Sequence, residues 1–367
     1  MNLSRRACLA LIVCFPALSW AQQYSVPPAA AGQPKVAAQP APQPPPVEPQ
    51  ITEGRIHLDV VVIDKSGKPV SGLELKDFSL LDNNQPAKIL SFHAFDGSAH
   101  KTHPPVEVIL VIDTVNETHQ QVAFVRQEIE RFLRQNDGHL VQPVSLFVLT
   151  NQGVDAQRTP SADGNSLAAK VDQLDDRLRS ITDAGGAWGA IERTSFSIQM
   201  LMTIADAEAK KPGRKLLIWA GSGWPMLDSP NILTSPEGLR NNFDKIVQLS
   251  TKLRQARISV YSISQGQPNP GTFLYESFLK GVKTANQADP PRLYLKVIAV
   301  QSGGSIYGPD NDLTAQINRC IQDAQAFYTL SFDPPPAAHA NEYHDLKVTV
   351  GQTKLNARTS TGYYNQP

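Results

Sequence analysis

The stretch VEVILVID, residues 106–113, decides the fold of this chain. Apart from Glu107 it is apolar until Asp113, and an unbroken apolar run of this length indicates a strand buried on both faces of a parallel sheet. Residues 118–135 follow with apolar side chains at helical spacing, and Gly138 lies just beyond their end. A buried strand followed by an amphipathic helix is the first unit of an α/β fold.

The same alternation continues along the chain. Apolar strand-like runs recur, and amphipathic segments separate them; the predicted strands are 144–149, 215–220, 258–263 and 305–307, and the main predicted helices are 194–209, 235–253 and 313–324. Alternating strands and helices with short connections predict a doubly wound, mainly parallel, Rossmann-like sheet with helices on both faces, over residues 103–325.

The two flanks of this region have the sequence pattern of antiparallel β-structure. Residues 51–102 contain the alternating strand IHLDVVVI and two further strand-like runs around the turn DNN, and residues 326–367 contain three more runs divided by DPPP and by Gly351. We expect the flanks to pair into one small antiparallel β region, with the α/β domain inserted between them.

The first 21 residues resemble an export signal. Arg5 and Arg6 are followed by an apolar run over residues 7–18, which is too short to span a bilayer as a mature helix. The sequence SWA then predicts cleavage after Ala21. Pro16 interrupts the apolar run and disfavours a retained membrane anchor. Cleavage before Cys14, as in a lipoprotein, is disfavoured because the preceding Val13 is bulkier than the small residue expected there. An exported location follows: periplasm, cell envelope or secreted.

Residues 22–50 are rich in Pro, Ala and Gln, and this composition predicts an extended, solvated linker. Loss of the signal removes Cys8 and Cys14, so the mature chain has Cys320 alone and no internal disulfide. Cys320 lies on an apolar helical stripe, which predicts a buried thiol; an intermolecular disulfide is the alternative.

Composition excludes several functional classes. The chain is 41% hydrophobic and 19% charged, as in a soluble globular protein, and its formal net charge is zero. This balance provides no basic surface for nucleic acid or an anionic membrane. We expect no nucleic-acid partner and no stable membrane span after signal cleavage.

An ordered set of stretches resembles the von Willebrand factor A domain, and in particular its acidobacterial A-related subfamily. VEVILVID and THQQVAFVRQEIERFL are similar to the first strand and helix of that domain, and PGRKLLIWAGSGW, ISVYSIS and SGGSIY are similar to its later strands. The leading LDVVVIDKSGKPVSGLELKDFSLLDNNQP and the trailing HDLKVTV and TGYY extend the likeness over residues 55–364. The resemblance implies an adhesion-type module that binds a ligand or a protein partner, rather than an enzyme.

The resemblance also implies a metal-ion-dependent adhesion site at the carboxyl end of the sheet. There, an Asp-x-Ser-x-Ser loop, a Thr and a second Asp hold Mg²⁺ or Ca²⁺, hard cations that prefer oxygen ligands. This chain keeps Asp113, but Val115 and Glu117 occupy the serine positions, and no aspartate follows strand 215–220. Thr194 is a loose counterpart of the threonine. The predicted metal site, Asp113 with Glu117, is therefore degenerate, no cofactor is certain, and the alternative is that Asp113 caps a loop.

Three loops are predicted to contact a protein partner: 113–118, 183–188 and 221–224. The candidate contact residues are Asn116, Thr118, Trp188, Ser222 and Trp224. The two tryptophans are the anchor candidates, because aromatic residues dominate interface energetics; core packing is their alternative.

Three other interpretations are weaker. The first is a structural envelope protein that binds no ligand. A hydrolase using Ser222 needs a small residue two positions later, where Trp224 stands, and has no evident base. His100 and His103 have a spacing compatible with a metal, but they lie in a polar connection without further ligands.

Overall fold

The computed structural model describes residues 54–96, 106–157, 159–173, 186–228, 234–267 and 271–367. All of these residues fall in one compact unit, Pro45–Pro367. The predicted signal peptide 1–21, the predicted linker 22–50, and the residues His100 and His103 lie outside the described residues. No helix of the described part is both long enough and apolar enough to cross a membrane.

The described residues contain strands at both ends of the chain and alternating strands and helices between them. The strands are β1 (Ile56–Ile63), β2 (Phe78–Asp82), β3 (Gln85–Ala87), β4 (Ser91–Asp96), β5 (Glu107–Asp113), β6 (His139–Thr150), β7 (Gly153–Ala156), β8 (Ser161–Asp163), β9 (Lys215–Ala220), β10 (Ile258–Ile263), β11 (Ile306–Tyr307), β12 (Ala326–Phe332), β13 (Glu342–Val350), β14 (Asn356–Arg358) and β15 (Gly362–Asn365). The α-helices are α1 (His119–Leu133), α2 (Gly164–Asp172), α3 (Gly186–Glu208), α4 (Pro236–Gln255), α5 (Leu295–Gln301) and α6 (Leu313–Gln322).

The central sheet has the order β11-β10-β9-β5-β6-β7, and β8 also pairs with β6. Its inner strands are parallel: β5 pairs with β6 and β9, and β10 pairs with β9 and β11. Only β7 and β8 run antiparallel to their neighbour β6. The prediction of a mixed α/β fold with a mainly parallel sheet is confirmed.

Each face of this sheet has its own apolar core, because successive strand residues point to opposite faces. On β5, Ile109 and Val111 pack with residues of α3, α4 and α5, whereas Val108, Leu110 and Ile112 pack with residues of α1, α2 and α6. Every residue of β5 is buried, as the apolar run predicted. The second core also contains Cys320, a free and buried thiol, which confirms the predicted burial.

The two flanks form two antiparallel sheets of four strands, with orders β14-β1-β12-β4 and β15-β13-β2-β3. In each sheet an N-terminal strand pairs with a C-terminal one: β1 with β12, and β2 with β13. A third apolar core contains residues from both sheets, including Leu58, Phe78, Tyr328 and Val348. The domain boundaries at 102/103 and 325/326 stay predictions.

Buried ion pairs join the flanks to the parallel region. Arg257 lies two residues after the end of α4, and its Nη2 donates to Asp59 Oδ1 on β1 over 2.7 Å; both side chains are largely buried. On the other side, Arg358 of β14 pairs with Asp323, whose carboxylate also accepts from the Tyr261 hydroxyl at 2.6 Å. Because such charges are costly to bury unpaired, these contacts fix how the flanks sit against the sheet.

Candidate functional site

The predicted contact loops meet at one edge of the sheet. The loop after β5 contains residues 114–118, and the loop after β9 begins at Gly221. Strands β5 and β9 are parallel neighbours, with Ile112 opposite Ala220, so their carboxyl ends lie side by side. Ligands of open α/β sheets bind at this edge, which makes it the candidate site.

Asp113 organises the first loop from a fully buried position. Its Oδ1 accepts hydrogen bonds from the backbone N–H groups of Val115 (2.9 Å) and Asn116 (3.0 Å). Its Oδ2 accepts from Asn116 Nδ2 (2.8 Å) and from Trp219 Nε1 (2.9 Å) on β9. Burial raises the pKa of Asp113, while these hydrogen bonds oppose the rise. Asp113 therefore caps the loop through these hydrogen bonds. Loop capping is the alternative to a metal site at this residue.

Glu117 joins the two loops. Its side chain is buried, with only 1% of the residue exposed, and Oε1 accepts a short hydrogen bond from the backbone N–H of Ser222. Burial raises the pKa of Glu117 to about 7; the hydrogen bonds from Ser222 lower it, and the nearby Asp113 raises it further. We call this contact between Glu117 and Ser222 the carboxylate clasp.

Gly221 makes the carboxylate clasp possible. Its φ is +135°, a conformation that side chains with a Cβ rarely adopt. A Cβ at this position would lie 2.7 Å from Glu117 Oε1. The glycine therefore provides both the backbone conformation and the space that the Glu117 carboxylate occupies.

The residues around Asp113 do not fit a divalent cation in this arrangement. Such a cation takes six or more oxygen ligands, whereas both Asp113 oxygens already accept two hydrogen bonds each and the Glu117 carboxylate binds Ser222. The apolar Val115 is buried in the core. The described part of the chain contains no group of three His, Cys, Asp or Glu residues that could hold a metal ion. The expected ligand pair, Asp113 with Glu117, is thus engaged in protein contacts instead.

Helix α3 reaches the same edge. Asn116 Nδ2, which donates to Asp113, also donates to Ser197 Oγ on this helix over 2.9 Å. Thr194, the loose counterpart of the family threonine, donates instead to the α3 carbonyl of Ala190 at 2.8 Å. Sequence reasoning missed Ser197; its signal was a small polar residue on the apolar face of α3, next to Ile198 and Leu201.

Trp224 does not have the exposure that the sequence predicted. It is only 1% exposed, its Nε1 donates to the Leu293 carbonyl at 2.8 Å, and its ring packs edge-on against Trp219. The loop after β9 folds inward here: Gly223 has φ +70°, and a Cβ at that position would lie 2.5 Å from Leu295 Cδ2. The expectation of an anchor at Trp224 is therefore wrong, and the core-packing alternative holds.

Trp188 has the opposite environment. It lies in the first turn of α3 and is 83% exposed, the largest exposed fraction among the large hydrophobic residues described. Ser222 and Thr118 are also exposed, although the Thr118 hydroxyl caps α1 by accepting from the Gln121 backbone N–H. Asn116 is half-buried, and its Oδ1 is a buried atom without a hydrogen-bond partner among the described residues.

The hydrolase interpretation finds no support in the geometry of Ser222. The hydrogen-bond partner of Ser222 is the carboxylate of Glu117, and no histidine in the described ranges is hydrogen-bonded to the serine. A serine nucleophile needs a positioned base that is itself oriented by a third group.

Comparisons with known proteins give only distant likenesses. No family model matches the chain, and no curated protein matches it. Among solved structures, it is similar to the human COPII-coat protein Sec24c, with 9% identity and a TM-score of 0.35 over 75% of this chain and 46% of that chain. It is also similar to manganese-loaded Plasmodium vivax TRAP protein, with 12% identity and a TM-score of 0.32 over 74% of this chain and 97% of that one. A third similar structure is the pilus adhesin SpaC from Lactobacillus rhamnosus GG, with 9% identity and a TM-score of 0.31. The likeness covers 80% of this chain and 48% of that one.

The chain thus spans less than half the length of Sec24c and of SpaC. Identities and scores this low carry no conclusion about family or function.

Proposed function

We propose that this chain is an exported, adhesion-type protein-interaction module with a von Willebrand factor A-like core, and that it binds its partner without a cation or a catalytic step. The observation that carries the proposal is an exposed tryptophan, Trp188, in the first turn of α3, the helix whose Ser197 accepts a hydrogen bond from Asn116 at the candidate edge. An exposed aromatic residue beside hydrogen-bonding groups is a typical interface anchor.

In this proposal the carboxylate clasp does the work that a metal does in an adhesion site. Glu117 holds the loop after β9 to the loop after β5, and Asp113 holds the latter in shape through its hydrogen bonds. Both loops are therefore ordered before a partner arrives, which lowers the entropic cost of binding. The partner is a protein whose surface offers a pocket for an indole ring.

The flanks complete the proposed architecture. Residues 103–325 form the von Willebrand factor A-like core, inserted into a β domain that residues 51–102 and 326–367 build together. The antiparallel pairing of β1 with β12 and of β2 with β13 supports this arrangement. The predicted signal and linker would place the domain away from an envelope surface.

The test compares two exposed apolar residues, one in the first turn of α3 and one on β6. A partner is first isolated from envelope extracts with the full chain, and its dissociation constant is then measured for Trp188→Ala and for Val141→Ala. Val141 is the matched control, because it is 80% exposed and lies near the amino end of β6. We expect Trp188→Ala to weaken binding about tenfold or more, with an unchanged melting temperature. Equal affinity of Trp188→Ala and the wild type, or equal loss in both variants, would contradict the proposal.

A further inference from the structure

An open groove lies at the edge of the flank sheets where β3 is the last strand. It measures about 460 Å³; residues of β2, β3 and the turn between them line one side, and Asp333 and Pro335, which follow β12, line the other. The apolar side chains around it are accessible, because Leu90 is 40% exposed and both Pro86 and Pro335 are exposed. Accessible apolar side chains that surround a groove indicate a binding surface. We call it the β3 groove.

His344, in the wall of the β3 groove, lacks one hydrogen-bond partner. The residue is 4% exposed, and its Nδ1 lies 2.7 Å from Asp82 Oδ1. The other oxygen of Asp82 accepts from the Tyr363 hydroxyl at 2.7 Å, so the carboxylate is the acceptor in both contacts and Nδ1 carries the proton. Nε2 of the neutral ring is then an acceptor, and it is a buried atom without a partner in the described ranges. Since buried polar atoms are normally hydrogen-bonded, a donor from outside these ranges would complete the wall.

Lys88 gives the β3 groove a positive charge that its wall does not offset. The two acidic residues of the described lining are already paired, Asp82 with His344 and Asp333 with Arg55, whose Nε lies 2.8 Å from Asp333 Oδ1. Lys88 is exposed and forms no ion pair with any described residue. The charge balance of the groove therefore favours an acidic occupant.

The chain enters the fold beside this groove. Strand β1 runs antiparallel to β12, with Ile56 opposite Phe332, so the residues before β1 continue toward the residues after β12. The ion pair between Arg55 and Asp333 lies at this point, and Asp333 lines the groove. Residues 47–53 directly precede Gly54, the first described residue. Seven residues extend over at most about 24 Å, which is enough to follow the groove from this entry point.

The sequence of residues 47–53, VEPQITE, matches the groove. Val47, Pro49 and Ile51 alternate with polar residues, so they would share one face of an extended segment. The segment also contains Glu48 and Glu53 and no basic residue. Its apolar face and its negative charge are therefore complementary to the apolar side chains of the groove and to the unpaired lysine.

We propose that residues 47–53 dock in the β3 groove of their own chain. The apolar face of the segment packs against Leu90 and Pro335, Lys88 attracts the carboxylates of the segment, and a backbone N–H supplies the hydrogen bond that His344 Nε2 lacks. A short tether keeps the segment at a high local concentration, so modest contacts are sufficient for docking. The docked segment fixes the direction in which the chain leaves the β domain. This role is independent of the proposed partner interface.

Disulfide trapping in the full chain tests the docking. The two cysteines of the predicted signal are replaced by serine, and the remaining Cys320 is buried. The test pair is Ile51→Cys with Leu90→Cys, and the control pair is Ile51→Cys with Leu75→Cys. Leu75 is matched to Leu90, because it is 45% exposed in the same β region and does not belong to the described lining of the groove. We expect the test pair to cross-link at least about tenfold faster than the control pair in the same oxidant, and equal rates would overturn the proposal.

A charge variant separates docking from simple tethering. Lys88→Glu in the test pair should slow cross-linking about fivefold or more, because it places like charges together. Lys65→Glu is the control, because Lys65 is exposed in the turn after β1 and does not belong to the described lining. Pro335→Cys, on the opposite side of the groove, replaces Leu90→Cys if that variant fails to fold. A rate that Lys88→Glu leaves unchanged, or that Lys65→Glu lowers equally, would overturn the proposal, whatever the outcome of the partner assay with Trp188→Ala.

Discussion

Replacing Glu117 by glutamine tests the carboxylate clasp through its dependence on pH. In the folded chain the pKa of Glu117 rises from 4.5 to about 7, chiefly because the side chain is buried. A carboxyl group whose pKa is raised on folding is more easily protonated in the folded state. The folded chain therefore loses stability as pH rises from about 4.5 to about 7, and the full loss is present above that window.

The size of the effect follows from the same two values. The difference between 4.5 and about 7 corresponds to roughly 3 kcal/mol, at about 1.4 kcal/mol per pH unit. The amide side chain of Glu117→Gln would carry no charge and, like the protonated carboxyl group, would still accept the hydrogen bond from the Ser222 N–H. We expect the variant to be about 3 kcal/mol more stable than the wild type at about pH 8, and nearly equal to it at about pH 4.

Urea unfolding followed by circular dichroism, at a series of pH values, measures this difference. Glu192→Gln is the matched control, because Glu192 is an exposed glutamate on α3. We expect the control to show no comparable change with pH. A Glu117→Gln variant that is less stable than the wild type at about pH 8, or a stability difference that stays constant with pH, would refute the reasoning.

Three further substitutions have expected effects on the free energy of unfolding, measured in urea at neutral pH. Gly221→Ala should cost about 1–3 kcal/mol, because its Cβ would strain the backbone and crowd Glu117; an unchanged stability would contradict that geometry. Trp224→Ala should cost about 3–5 kcal/mol as a buried aromatic residue, and a loss below about 1 kcal/mol would place it outside the core. Arg257→Ala should cost about 3–5 kcal/mol by leaving Asp59 buried and unpaired, whereas a neutral result would show that the pair does not hold the flank.

The parallel sheet could be predicted because its signal is local. The sequences of β5, β9 and β10 lack the alternation of apolar and polar residues that marks a half-buried strand, and every residue of these strands is buried. The start of α3 was less accurate: the sequence predicted a helix from Thr194, whereas the structure begins it at Gly186. Glycines at 186 and 189 weaken the helical signal there, and tertiary packing overrides their low propensity.

The carboxylate clasp could not be predicted, because it depends on contacts between residues distant in sequence. Glu117 and Ser222 are 105 positions apart and meet only through the pairing of β5 with β9. The direction of the loop after β9 also decides the burial of Trp224, and no periodicity in that loop indicates it. Asp113 was recognised as the key residue of its loop, but whether its oxygens face a cation or backbone N–H groups is set by the fold around it.

The central claim is that protein groups, rather than a cation, hold the loops at the carboxyl edge of the sheet. Isothermal titration calorimetry of the full chain with Mg²⁺, Ca²⁺ and Mn²⁺ tests it most directly, with Asp113→Ala as the reference for a loop without its carboxylate. We predict no binding heat and no change in melting temperature with any of the three ions. Saturable binding of one ion per chain that disappears in Asp113→Ala would contradict the claim.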